Sequence, residues 1–245
     1  MNPAEFANIA RVERELWWYR GMERIFLRFA APYAPPAGSR VVEAGCGTGY
    51  MSQRMAEHFR WQMFPADLSG DGLRYSRLDR RAQADLRAMP FASSSFDAVV
   101  SLDVIAHLAP PDDRRAFGEF ARVLKPGAPL LLRTSALSWL RSRHSMFVGE
   151  RQRYTKAKLR TLCAAAGLRV ERLTYLNSIL LPVAAFKFRV WEPLTNAPPA
   201  SGVAPVPRWL NSTLEKALDI ENALLGAGVN PPLGQSLLLT ARKPT

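Results

Sequence analysis

Apolar residues recur at three- and four-residue steps through the first thirty positions: Phe6, Ile9, Val12, Leu16 and Tyr19, then, after Gly21, Met22, Ile25, Phe26 and Phe29. That period puts them on one helical face, so two helices divided at Gly21 are predicted, and Pro32, Pro35 and Pro36 stop the second. From Arg40 the pattern changes to strand, loop and helix, repeated. Arg40–Ala44 is a short β-branched strand, glycines follow at 45, 47 and 49, and residues 48–60 bring Met51, Met55 and Phe59 onto one helical face. Residues 61–66 read as the next strand, ending at Asp67. A helix over 73–78 leads to a short strand at 82–85, and a turn at 93–95 leads to 96–102, an unbroken apolar run of the kind buried on both faces of a parallel sheet. Residues 112–124 form a helix with acids in its first turn, Pro126 and Gly127 turn the chain, and 129–134 form another strand.

The second half is less regular. A helix over 155–166 closes at Gly167, 169–175 alternates like a strand, and 236–241 is the last strand. Between those strands lies an excursion, residues 176–235. It holds an amphipathic helix (Leu176, Ile179, Leu180, Val183), a proline-rich link from Pro193 to Pro207 and a second helix over 209–225. Strands alternating with helices give an α/β fold, a mostly parallel sheet covered on both faces, and no second set of strands exists to build another domain.

Composition narrows the setting. The two cysteines, Cys46 and Cys163, are too few for a disulfide framework, residues 1–30 lack the apolar core of a signal peptide, and a reducing cytoplasm is the expected address. The longest mostly apolar run, 178–186, is far short of the roughly 20 residues that span a bilayer. With 33 Lys and Arg against 21 Asp and Glu, the net charge of +12 biases the chain toward anionic partners or solubility without bearing on the fold.

The chemistry concentrates in VVEAGCGTGY, residues 41–50. A dinucleotide fingerprint needs G-x-G-x-x-G; here the third glycine comes one residue early and Tyr50 fills the expected place. A strand, then E-x-G-x-G-x-G, then an acid closing the next strand resembles the first motif of class I S-adenosylmethionine-dependent methyltransferases. The resemblance runs over about residues 40–135. Asp67 closes the second strand, Asp85 sits in QADLRAMPF before a Pro-Phe turn, and SFDAVVSLDVIAHL and EFARVLKPGAPLLL look like that family's fourth and fifth strands. It implies a Rossmann-like three-layer sandwich with a seven-stranded sheet: one domain over 1–245, with an N-terminal helical lid (1–36), a cofactor-binding core (37–175), a helical cap inserted before the last strand (176–235) and that strand (236–245).

The same resemblance implies the site. Gly45, Cys46, Gly47 and Gly49 let backbone amides approach the methionine portion of S-adenosyl-L-methionine, and Glu43 stands near its sulfonium and amino end. Asp67, with Leu68 beside it, accepts from the ribose hydroxyls; Asp85 and the Leu86 amide meet the adenine. Leu102, Asp103 and His107 follow the fourth strand, where the methyl is transferred, and His107 is a candidate general base. No metal site is expected. The fourth strand lacks the Asn/Asp-Pro-Pro-aromatic ending of adenine-methylating DNA enzymes, no cysteine follows a proline there, and the paired glutamates of protein-arginine enzymes are missing. What remains is similar to the ubiquinone/menaquinone-biosynthesis type, acting on a small molecule.

Two segments are expected to choose the acceptor. In residues 15–26, Trp17 and Trp18 crowd against Tyr19 and Arg20, the latter two being the candidates to face the chemistry, with Trp18 packing or lining. In residues 140–160, Arg141, Arg143, Arg151 and Arg153, beside Tyr154, can hold a carboxylate or phosphate. An apolar cap and a basic mouth suggest an apolar or aromatic acceptor carrying an acidic group. Nucleic acid is not the expected partner, although the charge keeps a structured RNA as a rival. Methylation of a lipid with peripheral membrane contact is a second rival, and a cofactor-binding module without catalysis is a third.

Overall fold

The structure, a computed structural model, describes residues 3–245. Seven strands form one sheet: β1 (Arg40–Ala44), β2 (Gln62–Asp67), β3 (Ala82–Gln83), β4 (Ala98–Leu102), β5 (Pro129–Ser135), β6 (Arg169–Leu176) and β7 (Ser236–Arg242). Their order across the sheet is β3-β2-β1-β4-β5-β7-β6, parallel throughout except that β7 runs antiparallel to β5 and β6. The central strands β1, β4, β5 and β7 are largely apolar without alternation because both faces are covered, whereas the edge strand β6 alternates. Along β1, Val41 points into one core and Val42 into the other; along β5, Leu131 faces opposite to Leu130 and Leu132.

Helices α5 (Asp112–Val123) and α7 (Lys156–Ala165) supply Phe117, Phe120, Leu159 and Leu162 to the first core. The second core takes Met22, Ile25, Phe26 and Phe29 from α2 (Trp17–Ala30), Met55 from α3 (Tyr50–Phe59), and Leu218 and Leu225 from α10 (Arg208–Gly226). The remaining helices are short. They are α4 (Gly70–Leu73), α6 (Arg143–Phe147), and, between β6 and β7, α8 (Leu181–Phe186) and α9 (Glu192–Thr195), joined by a π-helical turn, Lys187–Trp191.

Two local expectations are corrected. The first helices, α1 (Pro3–Val12) and α2, part at Glu13–Leu16 instead of at Gly21. Gly21 lies inside α2, where a Cβ would meet Leu218 Cδ1 of α10 at 2.2 Å. The glycine serves close helix approach and not a break. The helix expected over 73–78 is only α4, because Ser76 packs under the glycine loop, within 2.6 Å of where a Cβ on Gly49 would stand.

The excursion is tied to α10. Glu221, buried on α10, accepts from the Ser178 amide with both carboxylate oxygens (2.9 and 3.1 Å) at the entrance to α8. Asn211 of α10 accepts from the Trp17 amide at 2.8 Å, supplying the cap that Leu16 lacks, and donates back to the Glu15 carbonyl at 3.1 Å.

Gly21→Val should lower stability by about 2 kcal/mol in denaturant titrations, the usual cost of overpacking a tight contact. Combined with Leu218→Ala it should cost less than the sum of the two single changes, because the valine methyls occupy the space the leucine vacates.

Candidate active site

Beyond β1 the chain turns back through three glycines in the left-handed region, with φ of 85°, 55° and 76° at Gly45, Gly47 and Gly49. Two of them are packed against: a Cβ on Gly45 would lie 2.2 Å from Val104, and one on Gly49 2.6 Å from Ser76. Gly47 differs. A Cβ there would meet only Phe6, at 3.9 Å, so the surrounding fold leaves space above this amide. The Gly45 and Cys46 amides both donate to the Ala66 carbonyl, at 2.7 and 3.0 Å, which pins the loop to β2. At the end of β2, Asp67 accepts from the Gly47 amide and from the Ser69 amide, each at 2.8 Å. Cys46 is buried, and burial pushes its thiol far above the ordinary range, so it is no nucleophile.

Beneath the loop, Glu43 is 2 % exposed and accepts from the Ser52 hydroxyl. Burial pushes its carboxyl up to about 8, with the Ser52 bond opposing and the charge of Asp67 adding to the rise. The N-terminal helices pack over this region. Phe6 of α1 is buried, Glu13 accepts from the Thr48 hydroxyl at 2.6 Å, and Glu23 of α2 accepts from the Tyr50 hydroxyl (2.5 Å) and from Arg54 Nε (2.7 Å). Tyr19 is half-buried; burial, with Glu13 and Glu5 nearby, raises its phenol well above the ordinary value, opposed by the charge of Arg133. Arg20 turns outward to Glu215 of α10, at 3.1 Å. Trp18 packs at the second core, edge-on to Trp17 with ring centres 5.7 Å apart.

The ends of β4 and β5 meet at a buried cation. Arg133, 8 % exposed, donates from Nε (2.9 Å) and Nη2 (2.5 Å) to Asp103 Oδ2, and the Asp103 amide donates to the Arg133 carbonyl at 2.8 Å. Asp103 has φ of 60°, an uncommon conformation for a residue with a side chain. Leu102 packs at the second core. His107 closes a 3-10 turn, Ile105–His107; its Nδ1 lies 3.3 Å from the Gly149 carbonyl, which can only accept, so the lone pair of a neutral ring is on Nε2.

The basic stretch is mostly spent on the protein itself. Arg141 donates to the Glu150 carbonyl at 2.6 Å, Arg143 to the Glu192 carbonyl and to Thr195 Oγ1 at 2.9 Å, and Arg153 pairs with the buried Glu150 at 2.6 Å. Arg151 is exposed, and its side chain makes no hydrogen bond or ion pair among the described residues; its backbone amide donates to the Ala106 carbonyl at 2.8 Å, beside His107. Tyr154, expected near the acceptor, is instead sealed in the core at 1 % exposure, its hydroxyl donating to the Ile105 carbonyl at 3.0 Å. Asp85 sits outside β3 and is held by Arg87, which keeps its carboxyl below the usual range; Leu86 is buried, and Leu68 is exposed with its carbonyl accepting from Gln83 at 3.0 Å.

Several residues here were not foreseen. Arg133 had a signal, a lone charge at the end of an apolar strand. His144 was hidden among the arginines around it. Its Nδ1 accepts from the Gly202 amide at 2.9 Å, and burial lowers its pKa, so the neutral ring carries its proton on Nε2. Glu13 and Thr48 gave no signal, since their pairing joins distant parts of the chain.

Comparison with known proteins agrees with this geometry. The family model described as "Methyltransferase domain" matches residues 42–132, the glycine loop through β5. The core over residues 42–132 is that of a class I methyltransferase. The "Probable S-adenosylmethionine-dependent methyltransferase" of Mycolicibacterium smegmatis is 34% identical over 130 residues, 51% of this chain and 48% of that one. The ubiquinone biosynthesis O-methyltransferase of Xanthomonas axonopodis pv. citri is 29% identical over 135 residues, 48% and 55% of the two chains. The chain thus spans about half the length of these curated relatives. A methyltransferase complex with the Trm112 activator from Haloferax volcanii shares the fold, with a TM-score of 0.62 at 22% identity over 98% of each chain. S-adenosylmethionine is the cofactor of the domain. The residues present fit it: a glycine cradle with open space at Gly47, a carboxylate at the end of β2 and a buried acid beneath.

Asp67→Ala should weaken S-adenosylhomocysteine binding about tenfold or more by calorimetry, the loss expected for charged hydrogen bonds. Glu43 generates a pH prediction. Its folded-state pKa, about 8, lies above the ordinary carboxyl value of 4.5, so its neutral form is favoured by folding. Its contribution is complete below the ordinary value and is lost as pH rises through about 8. Between those limits the stability of the cofactor-free protein should fall with pH, and Glu43→Gln, neutral at every pH, should flatten that slope in thermal melts.

Proposed function

We propose that the chain transfers the methyl group of S-adenosylmethionine to a small apolar or aromatic acceptor bearing an acidic group. The observation that carries the reading is the grouping of half-buried Tyr19 with the buried Arg133–Asp103 pair at the carboxyl ends of β4 and β5, beside the glycine loop. In open parallel sheets ligands sit at that edge.

The sulfonium is an activated methyl donor, so the protein's work is to position the acceptor and strip its nucleophile of water. With its phenol held protonated, Tyr19 acts as a hydrogen-bond donor that orients the acceptor. His107, through Nε2, is the proton acceptor if the nucleophile arrives protonated. Of the four candidate arginines Arg151 is the one left to meet the acceptor's anion, because Arg141, Arg143 and Arg153 already hold the loop together. Arg20, paired with Glu215, supports the lid from outside.

Turnover of isotopically labelled S-adenosylmethionine against a panel of apolar acids tests the proposal. Tyr19→Phe should lower kcat by about tenfold or more while S-adenosylhomocysteine affinity stays within a few-fold. Arg151→Ala should raise the acceptor's KM about tenfold, whereas Arg153→Ala should act through stability, since it strands buried Glu150. Cofactor binding without turnover on any acceptor, or transfer to RNA with steep loss in salt, would replace this reading with a rival one.

A further inference from the structure

The segment between β6 and α10 carries an apolar stripe that nothing in the fold covers. Val183, Phe186, Val190 and Leu194 recur at steps of three, four and four, so they line one side of the continuous helical run from α8 through the π-turn to α9, and Ile179 stands in the turn just before it. All are exposed, Phe186 by 60 % and Leu194 by 77 %, and Trp191 adds a further 58 %. The run packs on the protein through Leu180 and Ala184, which are buried. A soluble domain rarely leaves so many large apolar side chains together in water.

Charge indicates what covers them. Lys187 and Arg189 are exposed within the stripe, and Arg208 follows at the start of α10. The sole acid between residues 172 and 214, Glu192, is occupied, its carboxylate accepting from the Arg143 amide at 2.9 Å. The whole chain carries +12. Two copies meeting on this face would bring like charges together, whereas an anionic surface would draw the face in.

We propose that residues 179–194 dock the protein on an anionic phospholipid surface, the apolar stripe entering the headgroup boundary and the basic side chains meeting phosphates. An interfacial helix has this division of side chains, apolar on one side, basic beside it and Trp at the level of the headgroups. No helix among the described residues is long and apolar enough to cross a membrane, so the contact is peripheral through this segment. The proposal does not depend on which acceptor is methylated.

Vesicle sedimentation tests it, with phosphatidylcholine vesicles compared with vesicles also containing phosphatidylglycerol. The protein should pellet with the anionic vesicles and much less with the neutral ones. Phe186→Ser with Leu194→Ser should reduce binding about tenfold or more even at low salt, and Lys187→Ala with Arg189→Ala should reduce it similarly at low salt. Both pairs should keep S-adenosylhomocysteine affinity and thermal stability, since the four side chains project from the fold. Equal binding to neutral vesicles, or binding untouched by the apolar pair, would overturn the proposal. So would a concentration-dependent dimer in sedimentation equilibrium that the apolar pair abolishes, since a second copy would then cover the face.

Discussion

The close contact of α2 with α10 at Gly21 is the constraint on which the arrangement of the parts outside the sheet depends. A side chain at that position would hold the helices apart, and Leu218 would lose its place in the core. Because α10 also carries Glu221, which fixes the entrance to α8, and Asn211, which caps α2, one helix registers the lid and the cap against each other. The sheet itself needs no such device. Its central strands are apolar on both faces, and β1 to β5 take their neighbours through parallel crossovers.

Around the glycine loop the electrostatics are unbalanced. Glu13, Glu5 and Asp103 act on Tyr19 and Asp67 acts on Glu43, with one buried guanidinium, Arg133, opposing them at both. A protein interior bears such an excess of acid by leaving part of it protonated or by gaining a cation. Glu43, with its raised pKa, takes the first course in the cofactor-free protein. The sulfonium and ammonium of S-adenosylmethionine would offer the second.

The core was legible in the sequence because its signals are local. Unbroken apolar runs such as 96–102 and 129–134 marked strands buried on both faces, and the glycine row with Asp67 marked the loop and its neighbour. The lid was legible as helices but not as a closure, because Glu13–Thr48 and Tyr50–Glu23 join residues far apart in the chain. Gly21 misled, since a glycine used for close packing looks the same in sequence as one that ends a helix. The basic stretch misled in another way. Charges can be counted from sequence, but the carbonyls that satisfy them cannot, and Arg141, Arg143 and Arg153 turn inward to backbone oxygens and buried acids.

The proline-rich link, residues 196–207, passes over α1 and grips it: Asn8 donates to the Val203 carbonyl at 2.8 Å, and Glu5 accepts from the Ser201 hydroxyl at 2.7 Å. The N-terminal segment is therefore held from both sides, to the loop below through Glu13 and to the link above through Asn8 and Glu5. Displacing α1 from the core breaks hydrogen bonds on both of its sides. The consequence is kinetic. Motion of α1 away from the glycine loop is therefore slower than fraying of a helix held on one side only, because both sets of contacts have to break.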